Sequence, residues 1–283
     1  FQDVGDGLAL LYLLGEPRVH LRLVTTVYGS ASVRAATRAA RRLLARLGRN
    51  DVPVAPGASG ATDNPAANRA AQAMQELVDR SPGQVVLVAT GSMTNLKHAA
   101  ALDPAFFRKL RGLYLLGGVN GPLTWNKHRL GERNFSLDPE AAYQVLHADC
   151  PVTVVTGQAG LSAIFRARQF AALPAAGPVG MWIARQARGW FALTRLWFQD
   201  GGFGMWDPIA AVSVAHPELL ESEQVHITST RDDLRSGQLF ITGGRSAPVR
   251  LVHGVRDYDR FIACLFAAWR QANIQSETRK NVK

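Results

Sequence analysis

The chain has 283 residues, 47% of them apolar, a net charge of +10 and two cysteines. That is enough apolar material for a large core, no run reaches transmembrane length and no signal peptide is visible. Cys150 and Cys264 lie in apolar surroundings and are too few for a disulfide framework, so they read as core residues of a cytoplasmic protein. The positive charge invites a nucleic-acid partner, but basic residues are spread along amphipathic stretches such as Arg34 to Arg49. The one compact cluster is the tail Arg279–Lys283, so neither nucleic acid nor a membrane is an expected partner.

Short apolar runs alternate with stretches of helical period, which predicts an α/β fold: one domain over residues 1–283, with an open, mostly parallel sheet flanked by helices. No initiator Met or complete strand precedes Phe1, so a first strand is expected upstream. In chain order the pattern predicts helix Gly7–Leu14, strand Leu21–Thr26, helix Ser30–Leu47, strand Val52–Val54, helix Pro65–Asp79 and strand Gln84–Ala89. Helix Thr94–Leu102, strand Gly112–Leu116, helix Pro139–His147 and strand Pro151–Val155 follow, then helices Ser162–Ala171, Gly180–Trp197 and Pro208–Ala215. Strands Gln224–Thr228, Leu239–Thr242 and Val249–His253 read as a smaller antiparallel portion, before helix Tyr258–Ala272 and a flexible tail over 275–283.

Three features carry chemistry. Asp3-Val4-Gly5-Asp6-Gly7 opens an apolar helix with two carboxylates and no basic neighbour. A helix N-terminus offsets part of that charge and a hard divalent cation would offset the rest; the alternative is a plain N-cap at Asp6. Asn126, Glu132 and Asn134 follow no periodic pattern and stand between a strand-end turn and the capped helix start Asp138-Pro139-Glu140. Amides and a carboxylate suit vicinal sugar hydroxyls, with a solvated loop as the alternative. Asp207, behind Trp206 and before Pro208, again opens an apolar helix as an N-cap, a metal ligand or both. The small, polar turns Thr25–Ser30, Gly91–Asn95 and Gly117–Asn120 belong at the carboxyl ends of strands, where open α/β sheets bind ligands.

The ordered set resembles the nucleoside hydrolases, which cleave the N-glycosidic bond of ribonucleosides. Asp6-Gly7-Leu8-Ala9-Leu10 is similar to the end of the family's Asp-x-Asp-Pro-Gly-x-Asp-Asp-Ala loop. Val24–Ser30, Gly91–Leu96 and Leu115–Gly118 resemble its Val-Thr-x-x-x-Gly-Asn, Gly-Pro-Leu-Thr-Asn-Leu and Met-Gly-Gly turns. Asn126, Glu132 and Asn134 stand at the spacing of its sugar-binding segment, and Trp206-Asp207-Pro208 resembles its late His-Asp-Pro or Trp-Asp motif. The resemblance runs from Asp3 to about Ala215.

The resemblance implies a calcium ion held by Asp6, Asp207 and the Leu116 carbonyl, with Asn126, Glu132 and Asn134 on the ribose hydroxyls. Asp3, or an aspartate upstream of Phe1, would be the general base. Trp206 stands where many members have a catalytic histidine, which implies stacking on the base and a lean to purine nucleosides; ordinary core packing is the alternative. Of the histidines only His128 falls in the sugar-binding segment. Oxygen-only ligands suit calcium, and no His/Cys ligand cluster is legible that would suit zinc. The family's dimers and tetramers imply a homo-oligomer. The chain departs from the pattern at Gly5 for the first Asp of the pair, Ser30 for Asn and Arg133 for Phe. Gly5 and Ser30 keep open a non-catalytic ribosyl-binding protein on the same fold.

Overall fold

The computed structural model describes residues 4–198, 202–244 and 248–280. The chain begins with helix α1 (Gly5–Gly15), strand β1 (Val24–Thr26), α2 (Val33–Arg46), β2 (Val54–Pro56), α3 (Arg69–Arg80), β3 (Val86–Ala89), α4 (Thr94–Leu102) and β4 (Gly112–Leu116). A hairpin of β5 (Thr124–Trp125) and β6 (His128–Arg129) leads to α5 (Pro139–Leu146) and β7 (Val152–Val155). Then come α6 (Gly157–Ser162), β8 (Ile164–Arg166), α7 (Ala167–Ala172), α8 (Gly177–Phe198), β9 (Gly202–Gly204) and α9 (Trp206–Ala215). The last elements are β10 (Leu220–Ile227), α10 (Arg231–Leu234), β11 (Ile241–Gly243), β12 (Val249–Val255) and α11 (Tyr258–Lys280).

Local chemistry sets several helix starts. The Ser32, Asn68 and Asp138 side chains each accept a first-turn backbone N–H of α2, α3 and α5, and Pro139 takes the first position of α5. Asp6 and Asp207 do not cap: the caps of α1 and α9 are Val4 and Met205, without a side-chain bond. Each aspartate is instead the second residue of its helix, where the helix dipole favours an anion.

The main sheet has the order β11-β10-β12-β7-β4-β3. β3, β4, β7 and β12 run parallel, and β10 is antiparallel to both of its neighbours. The late strands are antiparallel where β10 pairs with β11 and β12, as the sequence suggests, and they join the main sheet through β12, which runs parallel to β7. Alternation along the strands divides two cores. Leu116, Val155 and Val252 pack with α1, α9 and α11, whereas Leu115, Val154 and Leu251 pack with α3, α4 and α5. β1 and β2 form their own parallel pair.

Three expectations change. The helix read over Ser162–Ala171 is broken by β8, because Ile164–Arg166 pairs with Gly202–Gly204. The helix read over Pro65–Asp79 breaks at Asn68, which caps α3 after a single 3-10 turn. The last helix runs on to Lys280, so residues 275–280 of the expected tail are helical, while 281–283 lie outside the described residues. Among the described residues no helix is long and apolar enough to cross a membrane.

Candidate active site

The carboxyl ends of β3, β4 and β7 carry most of the residues the sequence singles out. Thr90, one residue past β3, donates its hydroxyl to Asp6 Oδ1 at 2.8 Å. The Asn134 amide donates to the carbonyls of Thr90 (3.1 Å) and Leu116 (2.9 Å), bridging the ends of β3 and β4. On the next strand, Leu116 pairs with Val155, and Trp206 Nε1 donates to the Gly157 carbonyl just beyond it at 2.8 Å.

Asp207 follows Trp206 and is buried, at 9% exposure, whereas Asp6 is exposed. Helices α1 and α9 pack against each other, and their C-caps meet where His216 Nε2 lies 3.3 Å from Glu16 Oε2. Asp6 precedes Glu16 by ten residues and Asp207 precedes His216 by nine. At about 1.5 Å of rise per residue, both first turns stand at the same end of the helix pair. The beginning and the latter part of the polypeptide thus reach one rim of the sheet. Asp3 lies outside the described residues.

The proposed sugar-binding residues occupy three different settings. Asn134 is at the rim. Glu132 turns its carboxylate back into its own loop: Oε1 accepts from the N–H groups of Gly118 (3.2 Å), Asn134 (2.8 Å) and Phe135 (2.8 Å), and Oε2 from that of Ser136 (2.7 Å). Gly237, at φ +71°, packs so closely on this side chain that a Cβ there would lie 2.4 Å from Glu132 Cγ. Asn126 is exposed at the tip of the β5–β6 hairpin, where it and Lys127 adopt φ of 45° and 67°. Two left-handed residues between paired strands form the turn that hairpins favour, and asparagine tolerates it.

Trp206 is half-buried with its N–H committed to Gly157. Its ring lies on Gly160, where a Cβ would come within 2.0 Å of the indole, and against Gly204. Part of the packing alternative therefore holds, since two glycines and one carbonyl fix the ring as a wall.

Behind the rim is a buried polar brace of which the sequence gives only the turn that holds part of it. Asn95, the second residue of α4, accepts from the Ala58 N–H (2.9 Å) and donates to the Thr26 carbonyl (3.0 Å), joining the ends of β1 and β2. Asn68 donates to Asn95 Oδ1 (3.0 Å) and pairs with His98 Nδ1 (2.9 Å). Burial, followed by the charge of Lys97, pushes the His98 imidazole below its ordinary range. Asp138 receives Lys97 Nζ and Thr94 Oγ1, both at 2.7 Å, while Tyr28 donates to the Leu137 carbonyl at 3.0 Å. These bonds fix the backbone directly after Asn134. The signal in the sequence is Thr-Asn at a helix start, which is also an ordinary βα turn.

Comparisons with known proteins agree with this architecture. Uridine nucleosidase 1 of Arabidopsis thaliana is 32% identical over 178 residues, covering 54% of this chain and 53% of the plant protein. The chain thus aligns with about half the length of that relative. The non-specific ribonucleoside hydrolase RihC of Klebsiella pneumoniae is 28% identical over 241 residues, 76% of this chain and 77% of that protein. The structure of a purine-preferring ribonucleoside hydrolase from Gardnerella vaginalis shares the fold with a TM-score of 0.84 at 22% identity, covering 96% of this chain and 97% of the other. The family model described as inosine-uridine preferring nucleoside hydrolase matches residues 2–263, and the chain belongs to that family.

Proposed function

We propose that the protein hydrolyses the N-glycosidic bond of ribonucleosides, releasing ribose and free base, with calcium at the rim and purine nucleosides preferred. The observation that supports this reading is the bond of Asp6 to Thr90 beside the strand ends that Asn134 bridges, with Asp207 in the first turn of α9, which packs against α1.

The donors fit a hard cation. Two carboxylates and the Leu116 carbonyl offer oxygen only, and a carbonyl that already accepts from Asn134 keeps a second lone pair. Asp6, Asp207 and Leu116 would hold the ion; Gly5 leaves the set one carboxylate short of the family pattern. When bound, calcium supplies positive charge that acidifies a water and engages vicinal hydroxyls.

The chain's own residues supply the rest. Cleaving a ribosyl C–N bond builds positive charge on the sugar ring, which the rim carboxylates stabilise. Asp3 takes the proton from the attacking water. Asn134 and the Glu132 loop orient the ribose, and Asn126 reaches it from the hairpin. Trp206 offers the part of its ring not covered by glycine to the base, where stacking is worth about 1–3 kcal/mol. Its indole delivers no proton at neutral pH, so the leaving base is protonated from solvent.

Reducing-sugar release from a panel of inosine, guanosine, uridine and cytidine, with and without a chelator, tests the proposal. The expected result is chelator-sensitive release, greatest with the purines. Uridine as the best substrate would remove the purine preference. Gly5 favours one other reading, a non-catalytic ribosyl-binding protein. Ligand-stabilised melting without product would favour that reading.

A further inference from the structure

At the opposite end of the α1–α9 pair, residues from three distant parts of the chain meet in a cluster of potential metal ligands. Glu16 is the C-cap of α1, His216 is the C-cap of α9, and Cys264 lies on α11. One ligand atom from each lies within 4.8 Å of the others. We propose that Glu16 Oε2, His216 Nε2 and Cys264 Sγ bind a thiophilic divalent cation of the zinc type.

The surroundings are built for that chemistry. His216 stands between two carboxylates, with Nδ1 3.0 Å from Glu218 Oε1 and Nε2 3.3 Å from Glu16 Oε2. A carboxylate behind a histidine is the usual support of a zinc ligand. A cation at Nε2 would take the place of the proton shared between that nitrogen and Glu16 Oε2, with Glu218 still supporting Nδ1.

Arg18 occupies the other oxygen, Oε1, through its Nε (2.9 Å) and its backbone N–H (3.3 Å). Burial raises the Glu16 carboxyl, but the Arg18 bonds outweigh it and hold the group below its usual range. Oε2 is therefore presented ionised. The Tyr12 hydroxyl, fully buried, donates to Oε2 at 3.4 Å, and burial keeps the phenol protonated. It serves as a hydrogen-bond donor to the ligand, leaving the fourth tetrahedral position to water.

Tetrahedral bonds of about 2.0–2.3 Å require ligand atoms about 3.3–3.8 Å apart, a spacing that a short side-chain movement reaches from the one observed. Burial holds the Cys264 thiol above its usual range, so binding displaces the thiol proton and affinity rises with pH. The sequence conceals this cluster because its ligands stand some 200 and 48 positions apart.

The test uses metal-stripped full chain in excess calcium, which keeps the rim carboxylates occupied, with cobalt(II) and zinc(II) as probes. Cobalt should give thiolate charge-transfer and tetrahedral visible bands, and zinc should raise Tm by several degrees. Both effects should be lost in Cys264→Ala and in His216→Gln. In the unmutated protein, zinc should slow modification of Cys264 by a thiol reagent while leaving Cys150 unaffected. Absence of cobalt bands, persistence of the bands in both variants, or equal reactivity of Cys264 with and without zinc would each overturn the proposal.

Discussion

The two ends of the α1–α9 pair carry opposite ligand chemistry on the same two helices. At the amino ends, Asp6 and Asp207 offer oxygen in first turns where the helix dipole favours an anion, and the hydroxyl of Thr90, one residue past β3, is bonded to Asp6. At the carboxyl ends, Glu16 and His216 stand as C-caps, and α11 adds the sulfur of Cys264. A hard cation suits the first end and a thiophilic one the second. The apolar bodies of the helices are buried in one core, so the ends alone are left to differ.

The strongest way to break this contrast is Asp207→Ala. Turnover should fall at least about a hundredfold and calcium-dependent thermal protection should vanish with it. Unchanged kinetics would remove Asp207 from the site. Next is Glu132→Gln, which places an amide donor among backbone N–H groups that now point at a carboxylate. A loss of about 1–3 kcal/mol in urea unfolding is expected, with a higher KM as the loop loosens.

A smaller effect follows from His98. Its folded imidazole lies below the ordinary range, so the unfolded chain takes up its proton first. This contribution to stability is complete above about pH 6.5 and is lost as pH falls through the depressed folded value. Tm measured across that window should decline in the unmutated protein and less steeply in His98→Gln. Smallest is Asn126→Gly, where a left-handed turn position accepts glycine and stability should move by no more than about 0.5 kcal/mol. A KM increase without a stability change would support the ribose contact, and unchanged KM would leave Asn126 a turn residue alone.

Legibility in the sequence followed the range of the interactions. Thr94–Leu102 and Gly112–Leu116 were read with their observed bounds, since a periodic face or a short apolar run between turn residues is a local signal. β8 escaped because its partner is Gly202–Gly204, where glycines flank a single phenylalanine and only pairing makes a strand. The β5–β6 hairpin escaped because its strands have two residues each and its turn is Asn-Lys, without glycine. At the rim, residue types were legible where partners were not. Glu132 stood out as a carboxylate in a polar loop, yet its partners are backbone N–H groups that no side-chain pattern reveals. Thr90 did not stand out at all, because one threonine past a strand is unremarkable until Asp6 arrives beside it.

The separate β1–β2 pair has a further consequence. Asn95 and its neighbours hold these strands to the rest of the fold by side chains, where β3, β4 and β7 share a backbone ladder. Asn95 therefore couples the two ladders through one side chain, and loosening it should speed amide exchange in β1 and β2 relative to β4 and β7. Losing that single carboxamide would hasten the exchange further.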